Sequence, residues 1–379
     1  MFSFTEEQRS IQEMVRDYAQ KVLKSRAEEI DKTGRYPAES IKELAEMGVM
    51  GLNISEEYGG AGMDTVSKVL AIAEVASCCG STCEIFSTQL LVNDIVQHNA
   101  SEEQKAKYLP MIAEGKLGAF ALTEPNAGSD ASGIRTKAVK DGEDYVITGS
   151  KCFISNMGPE EGEFVVVIAM TDPEKGTHGG ATAFLVPRGT PGFTVGKTED
   201  KLGVRGAAVS ELSFDECRVP ASAIVGKEGD GFNIAFSGLD GGRISMAAMS
   251  VGFARGALDE AIQYSQDRIQ FGKSISRNQG IRWYLADMAT RTEAAWLLTL
   301  RAADAMDRGE PVSKLASMAK YYAGETCSYV VDLALQIHGG YGYMKDYPIE
   351  RIYRDSRIQR IYEGTSEVQK IVIAKELLR

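Results

Sequence analysis

The hydrophobic period of the chain changes twice along its length, and this restricts the fold more than any single motif does. Up to about residue 115 the pattern is helical. Thr5-Glu6-Glu7-Gln8 has the form of a capping box, and Ile11, Met14, Val15, Tyr18 and Val22 follow at helical spacing. Tyr58-Gly59-Gly60-Ala61-Gly62 reads as a loop, and a second helical stretch runs from about Asp64 to Cys78. From about 118 to 225 the period is that of strands. Val146-Ile147-Thr148, Phe164 to Ala169 and Thr182 to Val186 are β-rich runs separated by Gly, Pro, Asp and Asn clusters, which predicts a barrel or sandwich. From about 229 the helical pattern returns. Leu315, Met318, Tyr322, Tyr329, Leu333 and Ile337 mark one helix face, and long helices with short connections predict an antiparallel bundle.

A chain of 379 residues, 44% of them hydrophobic, can bury a large core in two or three domains. Its net charge of −11 argues against nucleic acid as a partner, although a local Arg cluster or helix N-terminus can still hold an anionic small ligand. The start, Met1-Phe2-Ser3-Phe4-Thr5-Glu6-Glu7, has neither a basic n-region nor an apolar run, and no stretch is long and apolar enough to span a bilayer. A cytoplasmic, bacterial protein is expected. The six cysteines contain no C-x-x-C pair and the three histidines are scattered, so no metal site is expected. Cys78, Cys79 and Cys83 are expected to pack as small apolar groups.

Several segments contain residue types suited to chemistry. Ala121 to Asp130 offers hydroxyls, a Gly that permits close backbone approach and main-chain N–H groups in a turn, the parts of a phosphate or flavin-edge site. Lys151 to Asn156 is a strand in which Phe153 and Ser155 share a face, so one can cover a planar ring while the other donates a hydrogen bond. Arg268 to Lys273 follows a helical run. In Gln336 to Tyr343 the Gly pair ends a helix, without the strand and spacing of a dinucleotide fingerprint. In Arg360-Ile361-Tyr362-Glu363-Gly364-Thr365-Ser366-Glu367 the carboxylate of Glu363 follows bulky residues. An apolar pocket would raise its pKa and make it a better base near neutral pH. The following Gly-Thr-Ser can start a helix. Each segment alone reads more readily as ordinary strand, turn or helix-end chemistry.

Together these segments resemble the acyl-CoA dehydrogenase family. The carriers are Leu122-Thr123-Glu124-Pro125 with Gly128-Ser129-Asp130, Arg268 with Phe271-Gly272, Gln336 with Gly339-Gly340-Tyr341-Gly342, and Ile361-Tyr362-Glu363-Gly364-Thr365, in order along nearly the whole chain. The resemblance is strongest to bacterial short-chain (butyryl-CoA) dehydrogenases. It implies an α+β fold: an N-terminal helical domain (1–117), a middle β-barrel domain (118–228) and a C-terminal antiparallel four-helix bundle (229–379). It also implies FAD and a homotetramer built as a dimer of dimers.

Carried over by position, Phe120, Leu122, Thr123, Gly128 and Ser129 line the flavin and its diphosphate, and Phe153, Ile154 and Ser155 lie against the ring. Arg268, Gln270, Phe271, Gln279, Gln336, Gly339 and Gly340 reach the FAD of a neighbouring subunit, and Thr365 and Glu367 approach the cofactor again. Asp240 and Arg243 resemble an acyl-CoA-binding helix start, and Ser129, Tyr362 and Gly364 complete the expected substrate contacts.

Some members of the family carry the base just before that Arg, where this chain has Gly242, so Glu363 is the expected base. Glutaryl-type members use a basic residue for a distal carboxylate; Glu84 falls near that position, which argues against a dicarboxylate substrate. The implied activity is α,β-dehydrogenation of a short acyl-CoA, with electrons passed to electron-transferring flavoprotein. Three alternatives stay open: an enoyl-CoA or aryl-enoyl-CoA reductase coupled to electron-transferring flavoprotein, an O₂-using oxidase, and a scaffold with a dead site.

Overall fold

The computed structural model describes residues 3–378. Six α-helices come first among them: α1 (Glu6–Tyr18), α2 (Lys24–Thr33), α3 (Ala38–Glu46), α4 (Thr65–Ala76), α5 (Gly80–Asn99) and α6 (Glu102–Ala113). The expected capping box opens α1: the Gln8 N–H donates to Thr5 Oγ1 at 3.1 Å and the Thr5 N–H to Gln8 Oε1 at 2.9 Å. Asp64 caps α4 by accepting from the Ser67 N–H at 2.7 Å.

Eight strands follow: β1 (Leu117–Ala121), β2 (Lys137–Asp141), β3 (Asp144–Ser155), β4 (Gly162–Met170), β5 (Ala181–Pro187), β6 (Phe193–Thr198), β7 (Val209–Pro220) and β8 (Ile224–Val225). They form one sheet in the order β6-β7-β3-β2-β4-β5-β8, with β1 parallel to β4. Among the described residues no hydrogen-bonded ladder joins β6 to β8. The unbroken apolar run of β4 has a clear cause. Val165, Val167 and Ala169 pack in the sheet's inner core, while Phe164, Val166 and Ile168 pack against α5 and α6. A strand buried on both faces has no polar alternation.

The C-terminal region holds α7 (Gly231–Asp267), a small hairpin of β9 (Ile269–Gln270) and β10 (Lys273–Ser274), then α8 (Gln279–Asp307), α9 (Ser313–His338), α10 (Pro348–Ser356) and α11 (Ser366–Leu377). Of the expected face of α9, Ile337 is buried in the core and Leu315, Tyr322, Tyr329 and Leu333 are half-buried against it, while Ala316, Ala319, Ala323, Cys327, Val330 and Ala334 lie deeper. Small residues also let neighbouring segments approach closely: an added Cβ would lie 3.1 Å from the Gln359 carbonyl oxygen at Gly324 of α9, and 2.5 Å from the Ala73 and Ser77 carbonyl oxygens at Gly252 and Gly256 of α7. The N-terminal halves of α7 and α9 meet at one site and their C-terminal ends at another, where Tyr264 stacks on His338 with ring centroids 4.2 Å apart. The two helices therefore run parallel, with α8 returning.

All six cysteines are free and buried. Among the described residues no cluster of potential metal ligands is present, and no helix is long and apolar enough to cross a membrane.

Candidate active site

Glu363 occupies the turn between α10 and α11 with φ 51°, a left-handed conformation that is costly for a residue with a side chain. Three groups hold the turn. Lys320 of α9, itself buried, donates from Nζ to the Gly364 carbonyl at 2.7 Å; Gln369 Nε2 donates to the same oxygen at 2.9 Å and to the Glu363 carbonyl at 3.2 Å. Thr365 caps α11 by accepting from the Val368 N–H at 3.3 Å. The Glu363 side chain turns inward against Gly242 of α7. A Cβ added there would overlap Oε2 and lie 3.0 Å from Cδ, so a side chain at 242 and the carboxylate of 363 compete for one space. Oε2 is buried and has no hydrogen-bond partner. Burial, with the nearby Glu84 carboxylate, pushes the Glu363 carboxyl up to about 7; Lys320, Arg243 and Lys68 pull the other way.

The wall beside this carboxylate comes from α5 and α7. Tyr362 accepts from Gln359 Nε2 at 2.7 Å and donates to Met249 Sδ at 3.3 Å. Asp240 and Arg243 form a mostly buried ion pair at 2.6 Å. Their expected place at a helix start is corrected: α7 begins at Gly231, so both lie well inside it.

A second constellation shapes the strand face. Lys151 of β3 and Glu124 after β1 form an ion pair at 2.8 Å in which both side chains are at most 3% exposed. Lys151 Nζ also donates to the Leu122 carbonyl at 3.0 Å, and Glu124 accepts from the Arg135 N–H at 2.6 Å and the Thr136 N–H at 2.9 Å. Burial pushes the Glu124 carboxyl up, but the Lys151 ammonium and these donors outweigh it and hold it below its usual range. The pair pins the segment containing Phe120, Leu122, Thr123, Gly128 and Ser129, of which Gly128 and Ser129 are exposed and Leu122 is buried.

Just after Lys151 the register with β7 shifts by a bulge. Phe153 adopts φ 59° and is expelled to 68% exposure beside the half-buried Ser155. The Ile154 side chain is buried in the sheet core, so only its backbone is open to a cofactor on this face. An exposed aromatic next to a hydroxyl, bordered by an open glycine turn where a Cβ at Gly128 would meet nothing within 4 Å, fits a planar ring with a polar tail.

The remaining predicted residues gather elsewhere. Arg268 and Gln270 of the β9–β10 hairpin and Gly339 and Gly340 at the end of α9 line one open cavity of about 550 Å³ with Tyr264, His338 and Tyr341. The Arg268 guanidinium lies 5.1 Å from the Tyr341 ring centroid. Phe271 projects from the hairpin tip at 98% exposure, and Gln279 and Gln336 are exposed nearby in sequence. The span from Gly242 to Tyr264 along α7, at 1.5 Å per residue, puts this cavity roughly 30 Å from Glu363. Glu367 is exposed in the first turn of α11.

The residues that local reading missed are Lys320, Gln369, Lys151 and Glu124. Glu124 and Lys151 stood in segments already singled out, but without a sign that they pair; Lys320 and Gln369 left no local signal.

Comparison with known proteins covers the whole chain. Residues 5–116, 119–217 and 229–378 match the N-terminal, middle and C-terminal domain models of acyl-CoA dehydrogenase. The chain is 48% identical over 381 residues to an acryloyl-CoA reductase (NADH) of Anaerotignum propionicum, covering 100% of this chain and 96% of that protein. It is 43% identical to a subunit of the caffeyl-CoA reductase–Etf complex of Acetobacterium woodii, covering 99% of each. Its fold superposes on butyryl-CoA dehydrogenase of Megasphaera elsdenii with a TM-score of 0.97 at 43% identity, covering 100% of both chains.

Proposed function

The chain belongs to the acyl-CoA dehydrogenase family of FAD-dependent oxidoreductases, and from that premise we propose that it acts on the α,β bond of a short acyl-CoA thioester, with Glu363 exchanging the α proton. The observation that carries the reading is the Glu363 carboxylate: turned inward, with one oxygen unpartnered, and titrating near 7. A base of that pKa exists in both forms at neutral pH, which suits proton transfer to and from carbon.

The protein's part in the step follows from its own residues. Lys320 and Gln369 hold the Glu363 and Gly364 carbonyls and so steady the turn that carries the Glu363 N–H, the expected donor to the thioester oxygen. A donor aimed at that oxygen stabilises the enolate that forms as the α proton leaves. Phe153 and Ser155 would hold the isoalloxazine ring, and Thr123, Gly128 and Ser129 its polar tail. FAD, when bound, supplies the hydride acceptor or donor. Asp240, Arg243, Tyr362 and Gly364 border the substrate. The separation of roughly 30 Å between Glu363 and the Arg268–Gly339 cavity supports giving that cavity to the FAD of a neighbouring subunit in a homotetramer. The Etf complex named for the Acetobacterium relative supports electron-transferring flavoprotein as the redox partner.

The test is Glu363→Gln. It should retain FAD and bind acyl-CoA while losing turnover by several orders of magnitude, read as flavin bleaching in a stopped-flow experiment. Near-normal bleaching would refute the assignment.

A second reading, net reduction of an enoyl-CoA, is favoured by the 48% identity to acryloyl-CoA reductase. The two directions carry opposite pH signatures. Oxidation needs ionised Glu363 and should slow below about pH 7; reduction needs its proton and should slow above it.

A further inference from the structure

Glu84 transfers neither the proton nor the hydride in the chemistry described above. It sits on α5 at 5% exposure, and its Oε2 is buried with no hydrogen-bond partner. The groups that face it come from several elements. The hydroxyls of Tyr362 beside the base, Ser155 on the cofactor-facing strand and Thr88 on its own helix are its polar neighbours, and the Lys201 ammonium faces it from the segment between β6 and β7. Lys201 is already bonded to the Ala207 carbonyl at 2.7 Å, and among the described residues it forms no ion pair with Glu84. Glu84 also acts on Glu363 as the second influence after burial. Through Tyr362 the carboxyl is linked to the segment of the base and through Ser155 to the strand face, which is the ground for setting it beside the acyl chain.

A plain hydrocarbon chain gives such a carboxyl nothing to bond, and covering it would leave a buried acceptor unsatisfied. We propose that Glu84 is a specificity-determining residue that selects acyl chains bearing a hydrogen-bond donor beyond the β carbon, a hydroxyl or an amine, over plain hydrocarbon chains. The inference rests on the acyl-CoA reading of the site and names its substrate class. Like-charge repulsion sets the same residue against a chain ending in a carboxylate.

The experiment uses the FAD-loaded protein and two matched pairs: butyryl-CoA with 4-hydroxybutyryl-CoA, and 3-phenylpropionyl-CoA with 3-(4-hydroxyphenyl)propionyl-CoA. Flavin reduction gives kcat/KM for the wild type, Glu84→Gln and Glu84→Val, with bound-FAD absorbance checking that each is folded. The wild type should favour the hydroxylated member of a pair by at least about 100-fold, since a site built to bond a polar group rejects the analogue lacking it. Glu84→Val should collapse that ratio chiefly by raising activity on the hydrocarbon, and Glu84→Gln should keep part of it. A wild-type ratio at or below one in both pairs, or a ratio that Glu84→Val leaves unchanged, overturns the inference while leaving the proposed function intact. Failure of every thioester to reduce the flavin overturns both.

Discussion

Glu124 and Glu363 are carboxylates placed inside the same molecule and treated in opposite ways. Glu124 is surrounded by the Lys151 ammonium and two backbone N–H groups and stays ionised below its usual range. Glu363 has been given desolvation, a second carboxylate nearby and an oxygen with no partner, and its pKa rises to about 7. A buried charge that is fully satisfied fixes a backbone, whereas one left short of partners is available for chemistry. The first holds the segment from Leu122 to Thr136 still; the second is left short of partners.

Removing a partner from the satisfied site should have the largest effect. Lys151→Met strands the Glu124 charge and should cost about 3–5 kcal/mol in denaturant unfolding at pH 7. Pairing it with Glu124→Leu should return much of that loss. If Lys151→Met unfolds like the wild type, Glu124 is not held by Lys151 and the contrast collapses. Next is Gly242→Ala, which presses a methyl group onto the Glu363 carboxyl. A displacement of about 1 Å should lower kcat on the order of 100-fold with FAD still bound, and unchanged kcat would mean that the carboxylate relocates before reaction.

The smallest effect is on stability against pH, where the two sites have opposite signs. The Glu124 pKa is depressed, so its contribution is present above about pH 4.5 and is lost as pH falls through the folded value. The Glu363 pKa is raised, so its contribution is complete below about pH 4.5 and is lost as pH rises towards 7. Glu363→Gln should therefore raise Tm at pH 8 on the order of 2 °C and have no such benefit at pH 4. A scan showing equal shifts at both pH values would contradict the burial-driven pKa.

Much of the architecture was legible because each element carries a local pattern. The capping box at Thr5, the apolar run of β4 and the helix-ending Gly339 all form as the residues dictate. The large residues of α9 pack against the core as their spacing implies, but the small residues between them, which periodicity of bulky side chains does not mark, lie deepest. The exposure of Phe153 rests on a bulge that breaks the two-residue alternation of the strand, and nothing in the local sequence announces it.

The sequence by itself determined the order of helical and sheet regions, the family motifs and Glu363 as the candidate base. Only the tertiary structure decided that Gly242 of α7, Lys320 of α9 and Glu84 of α5 would surround that carboxylate, and that Lys151 would neutralise Glu124. The physical reason is that the charge state of a carboxylate depends on desolvation and on groups within a few ångströms. Those groups come from residues far apart along the chain, where no local pattern records their meeting.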